Sequence, residues 1–168
     1  MNLVLPFFLS LSLTVMPSAQ LHDKQVASRD YTDCQKAIKA AEKAHGILPE
    51  LLGAVARVES GRMHPKLKKM TAWPWTICHK GKGHFFPTKE AALQKIQQLK
   101  KAGAKDFDVG LLQVNNYWHK EAFNSHEEAL DPHTNAHYAA KFLKQLYNKH
   151  KSWTRAVSNY HSGNPKFG

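Results

Sequence analysis

The chain has 168 residues, of which 42% are hydrophobic and 22% are charged, so it is long enough for one globular domain with a hydrophobic core and short for two. Its formal net charge of +11 indicates polyanionic partners. Charge alone leaves nucleic acid and the anionic polymers of a cell envelope as alternatives, and scattered lysines can also be only a solvated face.

The N-terminal segment predicts export. Residues 1–20 contain no Asp, Glu, Lys or Arg and end in small residues, which is typical of a signal peptide over residues 1–19 with cleavage near Ala19. The alternative is an uncleaved anchor, although Pro6 and Pro17 shorten the apolar run. We therefore expect an exported protein, periplasmic or associated with the cell envelope, in which a polar lead-in at residues 20–30 precedes one domain at residues 31–168.

Cys34 and Cys78 are the only cysteines in the chain. Outside the cytosol they could form one disulfide, whereas the alternative is two separate buried thiols. The sequence does not report the distance between them, so both interpretations stay open.

The segment from Thr32 to Gly46 predicts the first helix, because it begins with a capping-box pattern and ends at a glycine. Cys34, Ile38 and Ala41 share one apolar face of this helix. That face predicts packing against the helix that follows.

The second helix is predicted to begin at Pro49 and to place Leu52 and Val55 on an apolar stripe that continues to Glu59. Gly61 marks its end. A carboxylate in the last turn of a helix meets the negative end of the helix dipole, and burial disfavours its charge, so both effects raise its pKa. Such a group suits proton donation at neutral pH. The alternative is a boundary glutamate that reaches solvent.

The rest of the chain predicts more helices and one β element. The stretch TAWPWTICHKGKGHFFPT, residues 71–88, favours a small hairpin or flap whose aromatic side chains belong to the core or, alternatively, form sugar platforms. Further helices are predicted over residues 89–103, from Asp131 with Pro132 in the first turn, and over residues 153–160, with DVGLLQVNNYWH as a less regular segment. The predicted fold class is therefore mainly α.

Three short motifs occur in order along the chain: VESG at residues 58–61, GLLQVN at residues 110–115 and AVSNYHSG at residues 156–163. In combination they resemble the soluble lytic transglycosylase domain family, and the likeness is to small exported single-domain members that carry an AWPWT insertion and a DVG before the Gln motif. The resemblance implies a lysozyme-like helical domain that cleaves the glycan strands of peptidoglycan.

The resemblance also implies roles for matching residues. Glu59 and Ser60 match the family's Glu-Ser pair, in which the Glu is the sole catalytic acid/base and the Ser hydroxyl lies nearby. Gln113, in a stretch that matches Gly-Leu-Met-Gln-Ile, would line the glycan groove. Tyr160 matches the Tyr of a Tyr-Asn-x-Gly motif and would place its hydroxyl near Glu59, while His161 stands where Asn is usual.

Two asparagines and two aspartates near these motifs keep two interpretations each. Asn115, a candidate substrate-binding residue, and Asn135 both fit positions of the family, but a turn residue and a helix-start residue would explain them as well. Asp106 and Asp108 could supply the second carboxyl that ordinary glycosidases use, and hydrogen bonding within a loop is the alternative.

No metal or other cofactor is expected. His133 and His137 have the spacing to share a helix face, but they lack a convincing third ligand. The sequence also contains no Gly-x-Ser-x-Gly elbow and no phosphate-binding glycine loop.

The resemblance implies cleavage between N-acetylmuramic acid and N-acetylglucosamine without water, leaving 1,6-anhydromuramic acid ends. The alternatives are a hydrolytic muramidase that uses Glu59 with Asp106 or Asp108, and a non-catalytic basic wall-binding subunit of an envelope machine. The expected partners are peptidoglycan glycan strands and no nucleic acid. We expect a monomer with peripheral contact to the cell wall rather than a membrane span, and its recruitment by an envelope secretion or assembly machine stays open.

Overall fold

The computed structural model of the protein describes residues 18–162, with side chains described over residues 31–161. Residues 1–17, which hold most of the predicted signal peptide, lie outside the described residues, so the signal peptide stays a prediction. Within residues 18–162, none of the helices combines the length and the apolar character that a bilayer span requires. The elements are α1 (Ser18–His45), α2 (Leu51–Ser60), β1 (Gly61–Met63), β2 (Met70–Ala72), β3 (Thr76–His79), β4 (Lys82–Phe85), α3 (Lys89–Lys101), β5 (Asp108–Val109), β6 (Val114–Asn115), α4 (His126–Ala129), α5 (Pro132–His150) and α6 (Trp153–Ser162).

The elements confirm a mainly helical architecture, but the starts of two helices differ from prediction. α1 begins at Ser18 rather than Thr32, because most of the polar residues before Thr32 have adequate helix propensity and no Gly or Pro interrupts them. α2 begins at Leu51 rather than Pro49, because Glu50 adopts a left-handed conformation with a φ of 66°. The predicted start of α5 is confirmed, since the Asp131 carboxylate accepts a hydrogen bond from the Thr134 amide at 2.9 Å.

A buried carboxylate on α1 caps the N-terminus of α2. Glu50 provides no side-chain cap, and Oε1 of Glu42 instead accepts hydrogen bonds from the backbone amides of Leu52 at 2.9 Å and Gly53 at 3.3 Å. The negative charge also lies at the positive end of the α2 dipole. Glu42 therefore fixes how the helix that ends in Glu59 docks against α1.

The β structure is larger than the one predicted hairpin. That hairpin is present as the antiparallel pair β3 and β4, which are joined by a turn at Lys80 and Gly81. β5 and β6 extend it into a four-stranded sheet with the order β4-β3-β5-β6, while β1 and β2 form a separate pair. The sheet therefore places the GLLQVN motif, which spans the turn between β5 and β6, beside the hairpin.

Two hydrophobic clusters form the core. The first joins α1, α2, α5 and α6, and the second joins β3, α3 and β5. Cys34 belongs to the first cluster, whereas Cys78 lies on β3 and is partly exposed, and no disulfide joins them. The disulfide interpretation is therefore wrong, because the two cysteines lie in different environments.

Asn135 on α5 joins the two clusters at the GLLQVN motif. Its side chain is fully buried, accepts a hydrogen bond from the Leu112 amide at 2.8 Å and donates to the carbonyl oxygens of Val109 at 3.1 Å and Ala129 at 2.9 Å. Gly110 has a φ of 85°, and a Cβ there would approach the Asn135 amide nitrogen to 2.5 Å. The motif therefore needs a glycine at this position for both conformation and space.

Candidate active site

A groove of about 1460 Å³ opens beside the last turn of α2. Its walls come from β3, β4, β5, β6, α5 and α6 and from the loop that precedes β5. Four of the five predicted site residues line it, namely Glu59, Gln113, Asn115 and Tyr160. The fifth, Ser60, is fully buried. The fold therefore brings together residues that lie far apart in the sequence.

Glu59 is a largely enclosed carboxylic acid at the edge of this groove, and its side chain is 15% exposed. Burial raises its pKa, and the negative charge of Asp108 raises it further. The hydrogen bond and the charge of His161 act in the opposite direction, but burial is the larger effect. The site can therefore hold a proton on Glu59 at a higher pH than an exposed glutamate could.

His161 contacts Glu59 from the last turn of α6. Its Nδ1 lies 3.1 Å from Oε1 of Glu59, while 71% of its side chain is exposed. When Nδ1 carries a proton it donates to the carboxylate, and when it does not it can accept a proton from the carboxylic acid. The histidine that stands where the resemblance implies Asn is therefore in direct contact with the predicted acid.

The Tyr160 hydroxyl donates a hydrogen bond to the Leu112 carbonyl oxygen at 2.8 Å. Burial raises its pKa well above the usual value for tyrosine, and the charge of Glu59 contributes to the same effect. Tyr160 is therefore a neutral hydroxyl close enough to Glu59 to feel its charge, and it ties α6 to the GLLQVN motif.

Gln113 occupies a strained position in the same motif, with a φ of 47°. Its Nε2 donates to the carbonyl oxygens of Thr76 at 3.0 Å and Gly110 at 2.8 Å. Its Oε1 is buried without a hydrogen-bond partner among the residues that the structure describes. The amide is thus held by its nitrogen and keeps an unused acceptor at the groove wall.

Ser60 links three backbone segments rather than facing the groove. Its hydroxyl donates to the Leu111 carbonyl oxygen at 2.6 Å, is 3.1 Å from the Ala56 carbonyl oxygen, and accepts from the Trp73 amide at 3.2 Å. These contacts fix the end of α2 against the GLLQVN motif and the segment before β3. The geometry gives Ser60 a positioning role next to Glu59.

Asn115 organises the carboxylates of the groove. Its Nδ2 donates to Asp106 at 2.7 Å and to Asp108 at 2.8 Å. Burial raises the pKa of Asp108, and the neighbouring charge of Asp106 adds to this, while hydrogen bonds from Asn115 and the Cys78 thiol oppose it. Both aspartates therefore accept hydrogen bonds from Asn115, in agreement with the predicted alternative of hydrogen bonding within a loop.

The sequence did not single out two exposed aromatic residues of the groove, Tyr117 and Trp118. The sequence pattern that could have indicated them is a pair of adjacent aromatic residues in the polar segment NNYWHK, which overlaps the end of the GLLQVN motif. The aromatic residues of the predicted flap mostly pack inward, since Trp73 is buried and Trp75 and Phe86 pack on the second cluster, whereas Phe85 is exposed at the groove.

The two histidines considered for a metal are not gathered with other ligands. The His137 ring packs edge-on against that of His45, with centroids 5.4 Å apart. Across the described part of the chain, no group of three or more His, Cys, Asp or Glu side chains could hold a metal ion.

The comparisons with known proteins agree with this geometry at the level of the family. The sequence model of the transglycosylase SLT domain matches residues 36–167. No curated protein and no solved structure matches the chain at a significant level. The family match spans the helices, the sheet and the groove. The chain therefore belongs to the transglycosylase SLT domain family, whose lytic transglycosylases act on peptidoglycan with a mainly helical, lysozyme-like fold.

Proposed function

We propose that the protein cleaves peptidoglycan glycan strands between N-acetylmuramic acid and N-acetylglucosamine and leaves 1,6-anhydromuramic acid ends. One observation carries the proposal. Glu59 is a carboxylic acid of the groove whose pKa is raised by burial, and its side chain contacts His161 rather than the loop before β5. Asp106 and Asp108 both accept hydrogen bonds from Asn115 and hold that loop in place. The site thus offers one available acid/base.

In this mechanism Glu59 first donates its proton to the glycosidic oxygen, and the bond to the anomeric carbon of muramic acid breaks. The resulting carboxylate then takes the proton of the muramoyl 6-hydroxyl, whose oxygen bonds to the same anomeric carbon. The proton count of Glu59 is restored at the end of the cycle. The attack is intramolecular, and such attacks can have effective concentrations of about 10⁵ M or more, so no second carboxylate is needed to activate water.

The neighbours of Glu59 would support these steps without transferring protons. Ser60 holds the end of α2 in place, and Tyr160 presents a neutral hydroxyl rather than a second anion beside the carboxylate. Gln113 lines the groove next to these residues, and the two hydrogen bonds of its amide nitrogen hold its side chain in the wall. Asn115 acts through the loop that it organises.

A hydrolytic muramidase is the second candidate, and one observation favours it. Asp108 is half-buried, has a raised pKa and lies close enough to Glu59 for its charge to raise the pKa of Glu59 as well. If the loop released Asp108, this carboxylate could activate a water molecule. The product then would be a reducing end rather than an anhydro end.

Digestion of purified sacculi with mass analysis of the released muropeptides tests the proposal. We expect ends that are lighter by one water than hydrolysed ends, and we expect the double variant Asp106→Asn, Asp108→Asn to produce the same ends. Reducing ends that disappear in the double variant would establish the hydrolase instead.

The variant Glu59→Gln identifies the acid in the same assay. Loss of a general acid costs about a hundredfold or more in rate, and the amide preserves the size of the side chain. Glu121→Gln is the matched control, because Glu121 is exposed and does not line the groove. Normal turnover by a folded Glu59→Gln protein would exclude Glu59 as the acid, and complete inactivity of the wild type would favour the non-catalytic wall-binding subunit.

A further inference from the structure

Two aromatic side chains stay exposed on the wall of the groove. Trp118 is 53% exposed and Tyr117 is 39% exposed, and both line the same groove as Glu59. Their rings pack edge-to-face, with centroids 4.9 Å apart. Aromatic side chains usually pack in the core, and an exposed aromatic surface in a groove often marks a binding site.

The backbone under this pair is rigidly held. Oδ1 of Asn115 accepts hydrogen bonds from the amides of Tyr117 and Trp118, both at 3.0 Å. The same side chain donates to Asp106 and Asp108, so the aromatic pair and the carboxylates of the groove share one anchor. The backbone that carries the two aromatic residues is therefore anchored to the wall of the groove.

The two rings are not equally available. The Lys120 ammonium lies 4.9 Å from the centroid of the Tyr117 ring, and the Trp118 ring also packs against that ring. Trp118 is the more exposed of the two. Trp118 therefore offers the larger open surface, and Tyr117, which contacts both Trp118 and Lys120, supports it.

We propose that Trp118, supported by Tyr117, is a sugar-stacking subsite that binds one pyranose ring of the glycan strand away from the bond that is cleaved. The axial C–H bonds of a pyranose ring give it an apolar face, which matches an indole ring, while its hydroxyl groups stay in water. This inference rests on the proposed function, because the groove continues from Glu59 to these rings and a polymeric glycan would extend along it.

Binding measurements on the inactive Glu59→Gln protein test this subsite without turnover. The probe is the soluble hexamer of N-acetylglucosamine, and isothermal titration calorimetry gives its Kd for Glu59→Gln alone and combined with Trp118→Ala, Trp118→Tyr or Met63→Ala. We expect Trp118→Ala to raise Kd about tenfold, since it removes most of the apolar contact area of one sugar ring. Trp118→Tyr retains an aromatic face and should recover much of this loss.

Met63→Ala is the matched control, because Met63 is 54% exposed and does not line the groove, so its truncation should leave Kd unchanged. A hexamer that binds Trp118→Ala as tightly as the parent, or that does not bind the parent at all, would overturn the inference. Equal losses in Trp118→Ala and Met63→Ala would overturn it as well, since they would indicate a general loss of folded protein.

The outcomes separate this subsite from the reaction. If the wild type fails to cleave sacculi while hexamer binding still depends on Trp118, the proposed function fails and the subsite stands as a glycan-binding surface. If the wild type forms anhydro ends and hexamer binding ignores Trp118, the proposed function stands and the subsite fails. If binding of a muramoyl stem peptide rather than of the hexamer depends on Trp118, the rings recognise peptide and the inference is overturned.

Discussion

Glu59 lies where the apolar stripe of α2 reaches the groove, and its enclosure has a cost for the native state. Burial raises its pKa, so between the pKa of the unfolded chain and that of the native protein the native state binds more protons. The stability that this protonation contributes is complete below the unfolded pKa and is lost as the pH rises through the native pKa. An ionised Glu59 therefore destabilises the fold at pH values above its native pKa.

We expect Glu59→Gln to have a higher melting temperature than the wild type at pH 8 and a similar one at pH 4. The amide removes the cost of a buried charge, whereas at low pH the wild-type side chain is already neutral. Thermal unfolding followed by circular dichroism at the two pH values measures the difference. A variant that is less stable than the wild type at pH 8 would contradict burial as the larger effect on this group.

The contact between His161 and Glu59 should set the alkaline limit of activity. The hydrogen bond and the charge of His161 lower the pKa of Glu59, against the raising effects of burial and of Asp108. We expect His161→Asn to move the alkaline limb of the kcat/KM profile to higher pH, because the variant loses the imidazole whose hydrogen bond and electrostatic effect lower the pKa of Glu59. Steady-state rates across the pH range, with His133→Asn as an exposed control outside the groove, measure this shift.

An alkaline limb that stays in place or moves to lower pH in His161→Asn would show that His161 does not control the proton of Glu59.

The position of Glu59 on the groove side of its helix could be predicted from the sequence, because helical periodicity is a local signal. The partner of Glu59 lies 102 residues away, and periodicity carries no information about a contact at that separation.

The cap between α1 and α2 holds the helix that carries Glu59, and its contribution to stability can be measured. We expect Glu42→Ala to lower the free energy of unfolding by about 1–3 kcal/mol, because it removes a buried acceptor from the amides of Leu52 and Gly53. Urea unfolding measures the loss. Glu121→Ala, which changes an exposed glutamate, should stay within about 0.5 kcal/mol of the wild type, and an equally small effect of Glu42→Ala would refute the cap.

The elements also show where sequence patterns are informative. The helices α3, α5 and α6 agree with prediction because their apolar residues recur at helical spacing and side chains of Thr88, Asp131 and Ser152 cap their starts. The strands β5 and β6 have two residues each, too few for any periodicity, so their pairing with the hairpin was not predicted. The Glu42 cap was also missed, because it depends on how two helices dock and not on the first turn of α2.

For the whole molecule, the net charge of +11 should govern the approach to the anionic cell wall. We expect binding of the Glu59→Gln protein to purified sacculi to weaken steeply as NaCl rises from 50 to 500 mM, since charges are screened beyond about 8 Å at physiological ionic strength. Cosedimentation at a series of salt concentrations measures this. Binding that is indifferent to salt would indicate that stacking and hydrogen bonds in the groove carry the association instead.

The free thiol of Cys78 gives the groove a chemical reporter. Cys34 is buried, so a thiol-specific reagent added to the native protein has one accessible cysteine, and it lines the groove beside Asp108. Burial and the charge of Asp108 raise the pKa of Cys78, so alkylation should be slow at neutral pH and faster as the thiolate forms. A bound glycan strand would shield this sulfur. The rate of alkylation would then report the fraction of molecules whose groove is occupied, even in a variant that does not cleave the strand.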